Sequence, residues 1–220
     1  MRVSLVFRSV CFLLSSVALG QAQGVQPGGD PFSGPDFQAL VRKADPLDAV
    51  ESLKLFDVPD GFRMELVAAS PDIGQPMNLA FDERGRLWVT STLEYPYPAP
   101  LGQPGRDMIK ILEDTNGDGT YDKISLFADG LNIPTGLETA DGGVYVGQAT
   151  DLLFLRDLDD DGQADERRVL LSGFGTGDTH QAINSFTWSP DGELFFCQGD
   201  GIESRVETPW GVSSLYQAGV

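Results

Sequence analysis

Histidine, cysteine and cationic side chains are scarce in this chain. Its 220 residues contain one histidine, two cysteines and 15 Lys+Arg against 33 Asp+Glu, a formal net charge of −18. Such an acidic surface repels phosphate backbones and anionic lipid, which excludes nucleic acid as a partner and disfavours membrane surfaces. One cysteine, Cys11, lies in an N-terminal apolar run, so once that run is removed Cys197 stands alone and no internal disulfide can form. The Cys-x-x-Cys-His pattern of covalent haem attachment is absent as well. No apolar run is long enough to span a bilayer comfortably.

The first 22 residues have Arg2 and Arg8, then the apolar run from Val10 to Leu19, then small residues around Gly20 and Ala22. That order is a secretory signal peptide, and it predicts export to the periplasm or the extracellular space. Residues 23–45 are rich in Gly and Pro and read as a flexible leader. The stretch ADPLDAVESLKLF predicts a short helix over residues 46–55, with Asp45 able to cap it, Pro46 in its first turn and Asp48 at its positive end.

What the chain does have is glycine, proline and alternating apolar residues, which together predict an all-β fold. Three segments overlay: MNLAFDERGRLWVTS from Met77, TGLETADGGVYVGQA from Thr135 and NSFTWSPDGELFFCQ from Asn184. Each is an apolar strand, a polar turn closing on a glycine (Gly85, Gly143, Gly192) and a second alternating strand. A β unit recurring at roughly 40–50 residues is the signature of propeller blades. Residues 56–220 are therefore expected to form a partial β-propeller of the six-bladed type, with about three to four blades present, as the front part of a longer protein.

Two Asp-rich stretches punctuate this pattern, EDTNGDGTYDK at 113–123 and RDLDDDGQADE at 156–166. Both are expected at hairpin tips between outer strands. As calcium loops they offer oxygen at alternate positions: Asp114, Asn116, Asp118, Thr120 through its carbonyl, and Asp122, then Asp157, Asp159, Asp161, Gln163 and Asp165. The EF-hand's bidentate Glu is missing, since Ser125 and Arg168 stand at the twelfth positions. Two readings stand: a shorter calcium loop, or a solvated turn.

The segment FDVPDGFRMELVAASPDIGQPMNLAFDERGRLWVT, the loop pair and GFGTGDTHQAINSFTWSPDG resemble the N-terminal region of the membrane-bound dehydrogenase family of planctomycetes and verrucomicrobia. The resemblance covers roughly Leu47 to Val220. That family is similar to the six-bladed quinoprotein glucose/sorbosone dehydrogenases, and its longer members carry a c-type haem domain further on. The resemblance implies an exported, quinone-dependent sugar or alcohol dehydrogenase passing electrons to a cytochrome c. It carries the role of catalytic base onto His180, which precedes the Pro190-Asp191-Gly192 turn, with Asp178 as its partner. Gly173, Gly175 and Gly177 are expected to give this loop freedom.

In a propeller the ligand site lies where loops enter the inner strands. Gln75, Asn78 and Asn184 occupy such entries and are the expected cofactor contacts. Pyrroloquinoline quinone carries three carboxylates and calls for cations, yet the three entries hold none; Arg205, in a later loop, is the nearest candidate. His180 as a brace within its loop is the competing reading. A non-catalytic propeller stabilised by calcium and binding glycans or proteins is the alternative function, and a Ca²⁺-dependent lactonase-like hydrolase a third.

Overall fold

The computed structural model describes residues 45–100 and 102–220. The expected signal peptide and nearly all of the expected leader lie outside these residues. Two compact units are present, divided between Leu66 and Val67. Among the described residues no helix is long and apolar enough to cross a membrane.

Among the described residues the first unit contains one helix, α1 (Ala49–Leu53). It is shorter than the 46–55 expected. Asp48 is its N-cap: the carboxylate accepts from the Glu51 N–H at 2.7 Å, which starts the helix after Pro46 and Leu47 rather than at them. Lys54 already caps the other end.

The second unit, Val67–Val220, is built from antiparallel strands. Strands β1 (Gln75–Phe81), β2 (Leu87–Thr92), β3 (Asp107–Glu113) and β4 (Lys123–Leu131) form a meander in chain order. A second meander follows, with β5 (Gly136–Ala140), β6 (Gly143–Gln148), β7 (Asp151–Arg156) and β8 (Glu166–Ser172). After a one-turn 3-10 helix (Thr179–Gln181) come the hairpins β9 (Asn184–Trp188) with β10 (Leu194–Cys197), and β11 (Glu203–Thr208) with β12 (Gly211–Tyr216). The third repeat departs from the first two. β9 and β10 form a sheet of their own, while β11 joins β8 through Glu207 opposite Ser172, extending the second meander to six strands. The all-β class and the antiparallel hairpins thus match the sequence pattern.

Alternation along the strands decides which sheets meet. Trp88, Ile109, Ile111 and Phe127 of the first meander pack on Leu137, Val144, Val146, Leu153 and Leu155 of the second. The intervening residues Tyr145, Leu152 and Phe154 face the other way, onto Phe174, Ile183 and Phe186. The sheets therefore stack face to face in chain order, with β1 beside β5 and β5 beside β9.

The closing glycines of the three repeats differ in role. Gly85 and Gly192 hold positive φ in their turns. In the second repeat the turn is Asp141-Gly142, both with positive φ, as a two-residue hairpin of matching twist demands. Gly143 instead starts β6, where a Cβ would lie 2.4 Å from the Leu155 carbonyl. A second requirement concerns packing between sheets. Gly136 and Gly147 sit opposite each other on β5 and β6, and a Cβ on either would fall within 2.9 Å of the Phe186 ring. The glycine pair is the slot that admits Phe186.

Substituting Gly147→Ala places a methyl against both Phe186 and the Ile183 carbonyl. The expected loss is about 1–3 kcal/mol, measured as a lower urea midpoint at unchanged slope.

Candidate functional site

His180 is set in place by its own turn. Asp178 caps the 3-10 helix, and its Oδ1 accepts from the His180 N–H at 2.9 Å and lies 2.9 Å from His180 Nδ1. The imidazole side chain is 61% exposed and that of Asp178 44%. With Nδ1 donating to the carboxylate, neutral His180 carries its lone pair on Nε2, which makes no hydrogen bond among the described residues. A carboxylate-oriented imidazole with a free, solvent-facing nitrogen is chemically a proton acceptor.

The glycines ahead of this pair do not loosen the loop. A Cβ on Gly173 would stand 2.1 Å from the Arg205 carbonyl oxygen, one on Gly175 2.3 Å from that of Glu203, and one on Gly177 2.9 Å from that of Gly201. Residues 173–177 and 201–205 thus run antiparallel at near contact, with Arg205 N–H donating to the Gly173 carbonyl at 2.8 Å. The expected freedom is overturned: alternate glycines are required so that two backbones can approach, and they fix the approach to Asp178.

The entries to β1, β5 and β9 are linked sideways. Asn78 Nδ2 lies 3.4 Å from the Thr135 carbonyl, and Thr135 Oγ1 donates to the Ile183 carbonyl at 2.8 Å. Asn78 N–H donates to Thr90 Oγ1, so Asn78 braces the sheet as well. Asn184 Nδ2 donates to Ala182 O and its Oδ1 accepts from Ser185 Oγ at 2.6 Å. Gln75 is exposed at the start of β1, opposite Thr92. Arg205 lies within β11, exposed and opposite Ser214, rather than in a loop as expected; it belongs to the β11–β12 hairpin and not to the entry of β1, β5 or β9.

Sequence reasoning missed Asp107. Its side chain is fully buried, and it accepts from Thr92 Oγ1 at 2.8 Å and Ile133 N–H at 2.7 Å on one oxygen, and from the Leu93 and Glu94 N–H groups on the other. Among the described residues no cation pairs with it. The carboxylate ties the 93–99 loop to the β4–β5 junction, where buried Ile133 is held at φ 51°, a left-handed conformation costly for a β-branched residue. Asn132 Oδ1 holds the far end of the same loop through Ala99 N–H. Tyr95, on that loop, contacts His180 ring to ring at 5.0 Å, and Thr179 Oγ1 donates to the Pro96 carbonyl at 2.9 Å. Only the aromatic and proline run YPYPAP at 95–100 hinted at a built loop here; an aspartate before an apolar run gives no such hint.

The Asp-rich loops are hairpin tips, the first between β3 and β4 and the second between β7 and β8. In each, the leading aspartate gathers the loop's own N–H groups. Asp114 accepts from Gly119, Gly117 and Asp118, which together hold its pKa below the usual value. Burial pushes Asp157 upward, but the N–H groups of Gly162, Asp160 and Asp159 outweigh it and the net shift is down. Asn116 and Asp118 accept from Asp118 and Thr120 N–H, and Asp122 turns to Thr115. In the second loop Asp157, Asp159 and Asp165 bring carboxylate oxygens within 4.8 Å of one another. Asp161 accepts from Gln163 instead, and Asp165 also accepts from Leu158 N–H. The first loop gathers no such trio.

Residues 48–216 match the family described as Domain of unknown function (DUF7133), and the chain belongs to that family. No curated protein matches it.

Replacing Asp107 by Asn puts an amide NH₂ among donors and removes the charge that binds them. The folded state is expected to lose about 2–3 kcal/mol, and hydrogen exchange at Leu93, Glu94 and Ile133 should accelerate ahead of the other strand amides.

Proposed function

We propose that this member of a family of unknown function is an exported, six-bladed β-propeller of the quinoprotein dehydrogenase type. In this reading His180 accepts the hydroxyl proton of a sugar or alcohol, and the electrons pass ultimately to a cytochrome c. One observation carries it: the Asp178–His180 pair, with Nε2 free, stands at the entry to β9, in the row formed by the entries to β1 and β5. The face-to-face stacking of successive sheets with β1, β5 and β9 side by side supports the propeller.

Asp178 accepts from Nδ1, which leaves the lone pair on Nε2, away from the carboxylate, and the imidazolium formed on proton transfer is stabilised by the same carboxylate. The quinone itself is not matched by the described residues. Its three carboxylates need cations, and Arg205 lies in the β11–β12 hairpin opposite Ser214. No step is therefore assigned to it. That shortage favours a second reading, a non-catalytic propeller that binds glycans or proteins.

The full-length protein, given pyrroloquinoline quinone and Ca²⁺, is expected to reduce an electron-accepting dye in the presence of some member of an aldose and polyol panel. His180→Ala should lower that rate by about 10²-fold or more. No reduction by wild type with any substrate would overturn the dehydrogenase and leave glycan or protein binding, scored on an immobilised panel.

Calcium is proposed as a structural ligand of the second loop through Asp157, Asp159 and Asp165, with weak affinity of order 10⁻⁴ M. Calorimetry should show Ca²⁺ binding that Asp157→Asn with Asp165→Asn abolishes. No heat in wild type, with a melting temperature unchanged by chelator, would leave the loop a solvated turn.

A further inference from the structure

We propose that Tyr95 is a positioning residue of the His180 site, holding the imidazole plane so that Nε2 keeps one direction. This rests on the reading of His180 as the proton acceptor.

An imidazole this exposed, held through one hydrogen bond to a carboxylate that is itself 44% exposed, is weakly fixed, because solvent competes for both partners. A base needs more, since proton transfer depends on the direction of its lone pair. Tyr95 supplies the second restraint. Its ring meets the imidazole edge to face, at 5.0 Å between centroids and 71° between planes, the arrangement that aromatic quadrupoles favour.

Tyr95 can act as a wall because its loop is itself anchored. Thr92 Oγ1 accepts from Tyr95 N–H at 3.0 Å, and the same hydroxyl donates to buried Asp107 at 2.8 Å. Asn132 holds the loop at Ala99, and Thr179, next to His180, donates its hydroxyl to the Pro96 carbonyl. The Pro96–Thr179 bond and the Tyr95–His180 contact run side by side. They join the β2–β3 loop of the first repeat to the turn that opens the third. A tyrosine that merely filled space would need neither this double tether nor its ring against the one side chain whose orientation matters to a base.

The His180 imidazole signals are assigned by their loss in His180→Ala. In ¹⁵N-labelled full-length protein, wild type should show the Nδ1–H tautomer, cross-relaxation between the Tyr95 and His180 rings, and upfield-shifted imidazole protons. Tyr95→Leu should lose the upfield shift and mix the two tautomers, and Tyr95→Phe should keep both signatures. In dye reduction, Tyr95→Leu should lower kcat about tenfold with KM changed less than twofold, and Tyr95→Phe should recover most of the rate. Two results would each overturn the proposal: no cross-relaxation between the rings in wild type, or a folded Tyr95→Leu with the wild-type tautomer and shifts. The spectra need no turnover, so failure of the dehydrogenase reading and failure of this one are told apart.

Discussion

A single buried carboxylate organises the end of this unit that carries His180. Asp107 has no cation partner among the described residues; it is satisfied by main-chain and hydroxyl donors alone. Those donors come from two stretches of chain, the loop after β2 and the junction before β5. Burying a carboxylate is costly, and the cost is offset only when every donor is in place. The two stretches are therefore either both in register or both lost. Ile133 tolerates its left-handed backbone because its N–H is one of those donors. The loop that carries Tyr95 to His180 inherits its stiffness from the same acceptor.

The turn bearing His180 is held from the other side by backbone proximity. Three alternate glycines allow residues 173–177 to lie against residues 201–205, so position is set by the thickness of two main chains and not by side-chain packing. Between the glycine ladder and the Asp107-anchored loop, the Asp178–His180 pair is confined while its ring stays in solvent. Orientation and access usually compete; here rigid neighbours supply the first without burying the second.

Much of this fold was legible because strands announce themselves by alternation. The hairpins at Gly85 and Gly192, the Asp-rich tips and the all-β class all follow from period-two patterns and turn chemistry. The errors share a cause. Gly173, Gly175 and Gly177 look in sequence like a flexible run, because the partner that demands them is some thirty residues away. Gly143 looks like a turn residue, because Asp141-Gly142 leaves no mark of which glycine takes positive φ. Arg205 looks like a loop cation, yet it alternates within ESRVET, a strand with one buried face. The helix shrank because a cap is decided by one hydrogen bond at Asp48, and propensity does not see it. Asp107 and Tyr95 escaped because their significance lies wholly in contacts distant along the chain.

The order in which the sheets stack has a consequence for how the chain acquires its shape. Each meander is closed by neighbours in sequence, and each then offers its finished face to the next segment to emerge. Burial can advance from the first sheet to the second and on to β9 and β10, with no early strand waiting for a distant partner. Such a path keeps loop-closure entropy low at every step. The exception is β11, which keeps β12 as its hairpin partner but passes over β9 and β10 to join β8, and so locks the assembly only after the residues around His180 have been laid down.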